Sequence, residues 1–352
     1  MRYTLPGSLA LLLWTCLMTS QSNGNYLVRT IAFYNLENLF DTSNDTLIYD
    51  DDYTPSGTNH WTPQRYKKKI ANLAQVLLEI GSDKRMEPPD VIGICEAENL
   101  LVLEDLIRHP LLRSWDYGII HYDSPDERGI DVALLYKRKT FIPVSFNKHR
   151  LLLFDENRER DFTRDQLVVR GILEGEDIHF IVNHWPSRSG GEERSRSFRM
   201  AAAELNRHII DSVNRFEHTP MIIGMGDFND NPQDASLMKV LEAKGNKNIT
   251  DKELFNPMII LYRKGEGSLA YRDQWSLFDQ FFMSGNLVNG HGAWQLWRAS
   301  IYNPEYLKTA IGPFKGYPHR TYTGGRYTGG YSDHFPVYAF LIRRISELLR
   351  ED

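Results

Sequence analysis

The chain has 352 residues, 41% of them hydrophobic and 12% aromatic, which supplies a sizeable core and excludes a disordered protein. Its 41 basic and 46 acidic residues leave a formal charge of −5, so nothing in the overall balance draws it to nucleic acid or an anionic membrane. A nucleic-acid partner would need a local basic patch.

The amino terminus reads as a processing segment. Arg2 gives a short positive start, and the apolar run 9–18 is too short to span a bilayer. Ser20 and Ser22 then suit a signal peptidase, so cleavage is expected near Ser22, with export to the periplasm or the exterior. The remainder, residues 23–352, shows no composition break and is expected to form one domain. Of the two cysteines, Cys16 falls in the leader, which leaves Cys95 without a disulfide partner. Lipid anchoring through Cys16 is the disfavoured alternative, because Trp14 and Thr15 are poor neighbours for it. No later run is long enough for a transmembrane helix.

Residues 28–34 alternate and are partly β-branched, which predicts a first strand. Thr62 can cap a helix whose first turn holds Pro63 and which Gly81 closes. Lys67, Lys68 and Lys69 read as its solvated face. A second strand covers 90–95 and a helix runs near 101–107. Strands follow at 117–121, 130–136, 166–173 and 178–182. A helix over 195–213 turns Ala201, Ala202, Leu205 and Ile209 inward. The apolar run 221–225 is a strand that Gly226 is expected to turn, and 279–283 and 337–341 complete the set. Strands arrive in adjacent pairs and helices are few, which favours an α/β (α+β) fold of two packed, mainly antiparallel sheets flanked by helices.

Five predicted strand ends carry polar residues that a core avoids: Asn35 with Glu37, Glu96, His184, Asp227 with Asn229, and Asp333 with His334. Asp279 opens a further strand. Side chains alternate along an extended chain, so Asn35 and Glu37 should share a side, as should Asp227 and Asn229. Each place alone also fits a cap, a turn or a satisfied histidine. Glu37, Glu96 and Asp333 are hard oxygen donors without Cys or paired His, which points to Mg²⁺, with Mn²⁺ or Ca²⁺ as alternatives, and away from zinc. Amides, imidazoles and one acid beside such an ion suit phosphoryl chemistry, which is mainly positioning plus charge stabilisation.

From Asn35 to His334 the pattern resembles the endonuclease/exonuclease/phosphatase superfamily of metal-dependent phosphoesterases. Gly226-Asp227-Phe228-Asn229 and Ser332-Asp333-His334 carry most of that resemblance. It implies a four-layer sandwich and a hydrolase acting on phosphate esters. Glu96 then matches the main metal carboxylate, with Glu37 and Asp333 near the metal and Asn35 near metal and phosphate. Asp227 orients or deprotonates the attacking water, and Asn229 fixes Asp227 and the phosphate. His334 binds a phosphate oxygen, with Asp279 holding its tautomer, and His184 stabilises charge or helps the leaving group. Cys95 stands where many members have Gln, and Asp131 is a candidate partner of His184.

Arg188 and Arg199, after the Ser187–Gly191 turn, are candidates for substrate binding. The repeated Tyr-x-Gly-Gly pattern at 322–325 and 327–330 forms a rim before Asp333. The expected partner is a phosphate-ester substrate: a nucleic acid, a nucleotide or a phospholipid headgroup, as diester or monoester. A lipid or inositol phosphate phosphoesterase and a catalytically inactive binding module are the alternatives. No stable protein partner is implied.

Overall fold

Four consecutive residues set the layers. In β1 (Tyr26–Leu39), Ile31 and Phe33 enter a core between two sheets, whereas Ala32 and Tyr34 enter a second core beneath helices. A strand covered on both faces reads as an unbroken apolar run, because alternate side chains serve opposite layers. The computed structural model describes residues 26–84 and 86–345. The expected leader, its cleavage site and Cys16 lie outside the described residues.

The remaining main strands are β2 (Val91–Ala97), β3 (Tyr117–His121), β4 (Asp131–Lys137), β5 (Phe141–His149), β6 (Gln166–Leu173), β7 (Glu176–His184), β8 (Ile222–Asp227), β9 (Ala243–Lys244), β10 (Leu254–Phe255), β11 (Asp279–Ser284), β12 (Gln295–Ile301) and β13 (Val337–Arg344). One sheet has the order β12-β13-β1-β2-β4-β3 and the other β9-β10-β11-β8-β7-β6-β5. Pairing is antiparallel except for β1 with β2, β7 with β8, and β9 with β10. Between the sheets, Phe33, Phe180 and Phe281 are fully buried, each contributing roughly 1.5–3 kcal/mol of burial free energy.

Helices α1 (Pro63–Glu79) and α2 (Leu100–Arg108) cover the six-stranded sheet through Leu73, Leu77, Val102 and Leu106. Helix α3 (Glu192–Phe216) covers the seven-stranded sheet, packing Ala202, Ile209 and Ile210 on Ile181, Ile222 and Phe282. The order helix, sheet, sheet, helix is the expected four-layer sandwich. Thr62 caps α1 by accepting from the Arg65 N–H, Pro63 occupies the first turn, and Gly81 follows the last with φ 76°. Among the described residues no helix is long and apolar enough to cross a membrane.

Three expectations change. Lys67 and Lys68 are exposed, but Lys69 is 1% exposed: it lies four residues before Leu73 and seven before Val76, on the buried stripe of α1. Gly226 does not turn the chain; β8 runs through it, and a Cβ there would meet the Asn183 carbonyl oxygen at 2.5 Å. Strands β5 and β12 were not foreseen. β5 is an edge strand in which Ile142, Val144 and Phe146 alternate with Pro143, Ser145 and Asn147, but the apolar side is the exposed one and Pro143 reads against a strand.

The sheets are tied at one end. Arg29 of β1 bonds Glu174 in the turn before β7, and Arg343 of β13 reaches the Glu176 carboxylate at 2.9 Å and the Glu174 carbonyl at 3.1 Å. The other end is where the polar residues gather.

Candidate active site

The two central parallel pairs deliver their carboxyl ends to one rim. Asn35 sits in register with Cys95 beside Glu96, His184 with Asp227, and Asp227 opposite Asp279. At these exits Glu37, Asn38, Glu96 and Asn229 all take left-handed backbone angles, with φ between 50° and 61°. That geometry costs non-glycine residues energy and breaks the expected alternation. Asn35 and Glu37, like Asp227 and Asn229, therefore do not simply share a side. Instead the first residue of each pair accepts from the backbone N–H of the second, at 2.8 Å for Asn35 and 2.9 Å for Asp227. Asn229 thus fixes Asp227 through its backbone, while its side-chain amide donates to the Trp185 carbonyl at 2.9 Å.

Asp227 is the hub. Its Oδ2 accepts from the Asn35 amide at 3.1 Å and lies 3.8 Å from His184 Nε2 and 3.9 Å from His334 Nε2. Burial, against the pull of His334, pushes its carboxyl up to about 7, with Asp279 and Glu96 adding to the rise. The two histidines differ in kind. His334 Nδ1 bonds Asp279 at 2.6 Å; burial alone would lower its pKa, but Asp279, Asp333 and Asp227 together raise it well above the ordinary value. His184 goes the other way, lowered by burial and then by Arg164 and Arg128, so it stays neutral. Its Nδ1 is buried without a partner, and its Nε2 lies 3.8 Å from Glu96 Oε1.

Glu96, Asp333 and Glu37 form the acidic side. Glu96 Oε2 accepts from the Asn38 N–H at 2.9 Å. Both oxygens of Glu37 are already taken: Oε1 by Arg320 at 3.2 Å, and Oε2 by the Thr321 N–H at 2.6 Å and Lys69 at 3.5 Å. Arg320 also donates to Asp333 at 2.8 Å. Lys69, which sequence reasoning assigned to a solvated face, completes the cluster by donating to Thr321 Oγ1 and the Tyr331 carbonyl, each at 2.7 Å. Burial lowers its pKa, opposed by Glu37 and Asp333.

Three candidates sit elsewhere. Arg199 is fully buried on Asp230 at 2.6 Å and Ser195 at 2.8 Å, and Arg188 is engaged by the Asn229 carbonyl, Asp230 and Asp234. Both brace the loop behind Asn229, and their guanidinium groups are spent on that task. Asp131 does not partner His184; it bonds His121 at 3.0 Å and the Ser124 N–H at 2.7 Å. Arg164, which no motif marked, donates to the Trp185 carbonyl at 2.7 Å and to Asp126, and so fixes the turn after His184.

The residues fit a cation. Among the described residues, Glu37, Glu96, Asp227, Asp279 and Asp333 are offset by Lys69, Arg320 and His334, whose pKa is raised, and the Asp333 carboxyl is also raised, by burial and then by Glu37. Such an excess of buried negative charge is relieved by a hard cation on oxygen donors. Two triads, Asp227–Asp279–His334 and Cys95–His184–Asp227, each place ligand atoms within 4.8 Å of one another. The first is already accounted for by the His334–Asp279 hydrogen bond. In the second, burial and then Asp227 raise the Cys95 thiol well above its ordinary value, so it is a poor ligand.

At the meeting rim of two helix-covered sheets the structure thus holds one acid, Asp227, between two imidazoles. The endonuclease/exonuclease/phosphatase family model matches residues 30–343, and the chain belongs to that family. No curated protein matches it by sequence. Similar solved structures include TDP2 of D. rerio complexed with a single-strand DNA product, at 13% identity and TM-score 0.53, covering 89% of this chain and 98% of that one. A mannosyl-6-phosphatase of Bacteroides thetaiotaomicron aligns at 18% identity and TM-score 0.52, covering 89% and 99%. Truncated TDP2 of Caenorhabditis elegans aligns at 12% identity and TM-score 0.55, covering 89% and 97%.

Proposed function

We propose that the chain is an exported, Mg²⁺-dependent phosphoesterase that hydrolyses its substrate by one in-line attack of water. The carrying observation is the placement of Asp227, a buried carboxyl whose Oδ2 lies 3.8 Å from His184 Nε2 and 3.9 Å from His334 Nε2, and which burial pushes up to about 7. A base with that pKa takes a proton from water near neutral pH. Asn35 orients its Oδ2 and the Asn229 N–H fixes its Oδ1. Protonated His334, steadied by Asp279, donates to a phosphoryl oxygen and offsets charge there. Neutral His184 faces the same space and serves the leaving-group side.

Glu96 and Asp333 would hold the cation, with Glu37 and its Lys69–Arg320 clamp fixing the wall behind Asp333. When bound, the ion supplies positive charge to phosphate oxygens. The similar structures act on or carry phosphate esters of different kinds, a DNA product in one and a mannosyl phosphate in the other, which supports the bond type.

The test is hydrolysis of p-nitrophenyl and bis-p-nitrophenyl phosphate with Mg²⁺, followed by EDTA. Turnover that EDTA abolishes and Mg²⁺ restores is expected. No turnover with any phosphate ester and any divalent metal would leave a binding module on the same scaffold. Amino-terminal sequencing of the secreted protein tests export and cleavage near Ser22, and limited proteolysis tests whether 23–352 behaves as one domain.

A further inference from the structure

A pocket of about 380 Å³ opens beside Asp333 and Arg320, on the rim just described. It is built mainly by two segments, with Thr323 and Gly324 of the 322–327 hairpin completing the wall. One is the hairpin Leu269–Tyr271 with Gln274–Ser276, whose tip residues Arg272 and Asp273 take left-handed angles. The other is the loop 309–320. Tyr317 ties them together: its hydroxyl bonds the Asp273 carboxylate and accepts from the Asp273 N–H, each at 2.7 Å. The hairpin is also anchored on the catalytic loop. Trp275 stacks on Phe335 with 15° between planes, and the Phe335 N–H donates to the Ser268 carbonyl at 2.7 Å. Ser268 Oγ in turn accepts from the Asp279 N–H. The pocket is therefore held in register with His334 and Asp279.

Its lining has a distinct chemistry. Tyr271, Phe314 and Tyr317 offer aromatic faces, and Arg272, Asp273, Arg320 and Asp333 supply donors and acceptors of both signs, with no net charge. Phe314 and Tyr271 are 45% and 68% exposed, so their faces are open to a molecule entering the pocket. The volume lies at the small end of pockets that take small molecules, roughly 300–1,000 Å³. A second phosphate would meet Asp273 and Asp333 as well as Arg272 and Arg320 there, a lining with no positive excess. A charged strand also finds no track on the other side: the cavity beyond His184 is lined by five carboxylates against three guanidinium groups. Polynucleotides need the opposite balance.

We propose that this pocket receives the organic group of the substrate and that this group is a sugar ring, making the natural substrate a sugar monophosphate. A sugar presents flat C–H faces to aromatic rings and hydroxyls that both donate and accept, which matches alternating carboxylate and guanidinium partners. This inference rests on the phosphoesterase reading.

The experiment compares hexose monophosphates, nucleoside monophosphates, a single-stranded DNA oligonucleotide and p-nitrophenyl phosphate with the Mg²⁺-loaded protein. A hexose monophosphate is expected to be the best of these by kcat/KM. In Phe314→Ala and Tyr271→Ala, kcat/KM for the sugar phosphate relative to p-nitrophenyl phosphate should fall roughly tenfold, mainly through KM. An unchanged ratio, or faster hydrolysis of nucleotides or the oligonucleotide, overturns the proposal while leaving the phosphoesterase reading intact. If nothing is hydrolysed, that reading fails, and calorimetry of hexose monophosphate binding still decides the pocket: binding lost in Phe314→Ala supports it, and no binding to the parent chain overturns it.

Discussion

The six-stranded and seven-stranded sheets bring carboxylates to the same rim but treat them differently. On the first, Glu37 and Asp333 are bracketed by fixed cations, Lys69 from α1 and Arg320 from the loop before β13. On the second, the cationic or titratable partners of Asp227 and Asp279 among the described residues are imidazoles. A guanidinium or ammonium locks an acid as an anion, whereas imidazole lets protons move near neutral pH. The first rim is thus suited to anchoring a cation and the second to proton transfer, with His334 crossing from one to the other.

The largest test of this division is Asp227→Asn, which should lower kcat by about 10²–10⁴-fold while circular dichroism and melting stay near the parent values. Lys69→Met should behave oppositely in kind. It leaves Glu37 buried without its ammonium and should cost about 3–5 kcal/mol in urea unfolding, whether or not substrate is present. If the Lys69 variant is as stable as the parent, the first rim is not an electrostatic anchor.

Asp279→Asn sharpens the second rim. Asp279 is the strongest of the groups that raise His334, so its loss lowers that pKa and His334 gives up its proton at lower pH. The alkaline limb of the kcat/KM profile should move to lower pH; an unmoved limb would remove His334 from the role of acid.

Glu98 extends the comparison and gives the smallest effect. It follows β2 among Asp41, Asp45 and Asp50, and burial pushes its carboxyl from 4.5 to about 7, against the Asp41 N–H that it accepts. A folded pKa above the unfolded one contributes stability below about 4.5 that is lost as pH rises through about 7. Glu98→Gln should therefore raise the melting temperature at pH 8 and change it little at pH 5, a difference of at most about 2–3 kcal/mol. Equal effects at both pH values would contradict the raised pKa.

The layers were legible because strands buried on both faces leave unbroken apolar runs, as 91–95 and 221–225 do, and because Thr62, Pro63 and Gly81 punctuate α1. Much of the rim was legible too, since Asp227 and His184 stand where such runs stop and Asp333-His334 just before one begins. What escaped was set by tertiary contact. The left-handed exits at Glu37, Glu96 and Asn229 overrule strand periodicity and are imposed by packing. Lys69 carried a signal in its spacing to Leu73 and Val76, but a lysine triplet reads first as solvent-facing. Arg199 looked like an anion ligand until Asp230, thirty-one residues on, proved to hold it. The aromatic pocket joins the 269–276 hairpin to the 309–320 loop, and no local pattern announces that meeting.

The bonds from Arg29 to Glu174 and from Arg343 to Glu176 close one edge of the sandwich. The opposite rim is cross-tied too, by Asn35 to Asp227 and by His334 to Asp279. The seam between the layers on that side is thus made of the very groups proposed to do the chemistry.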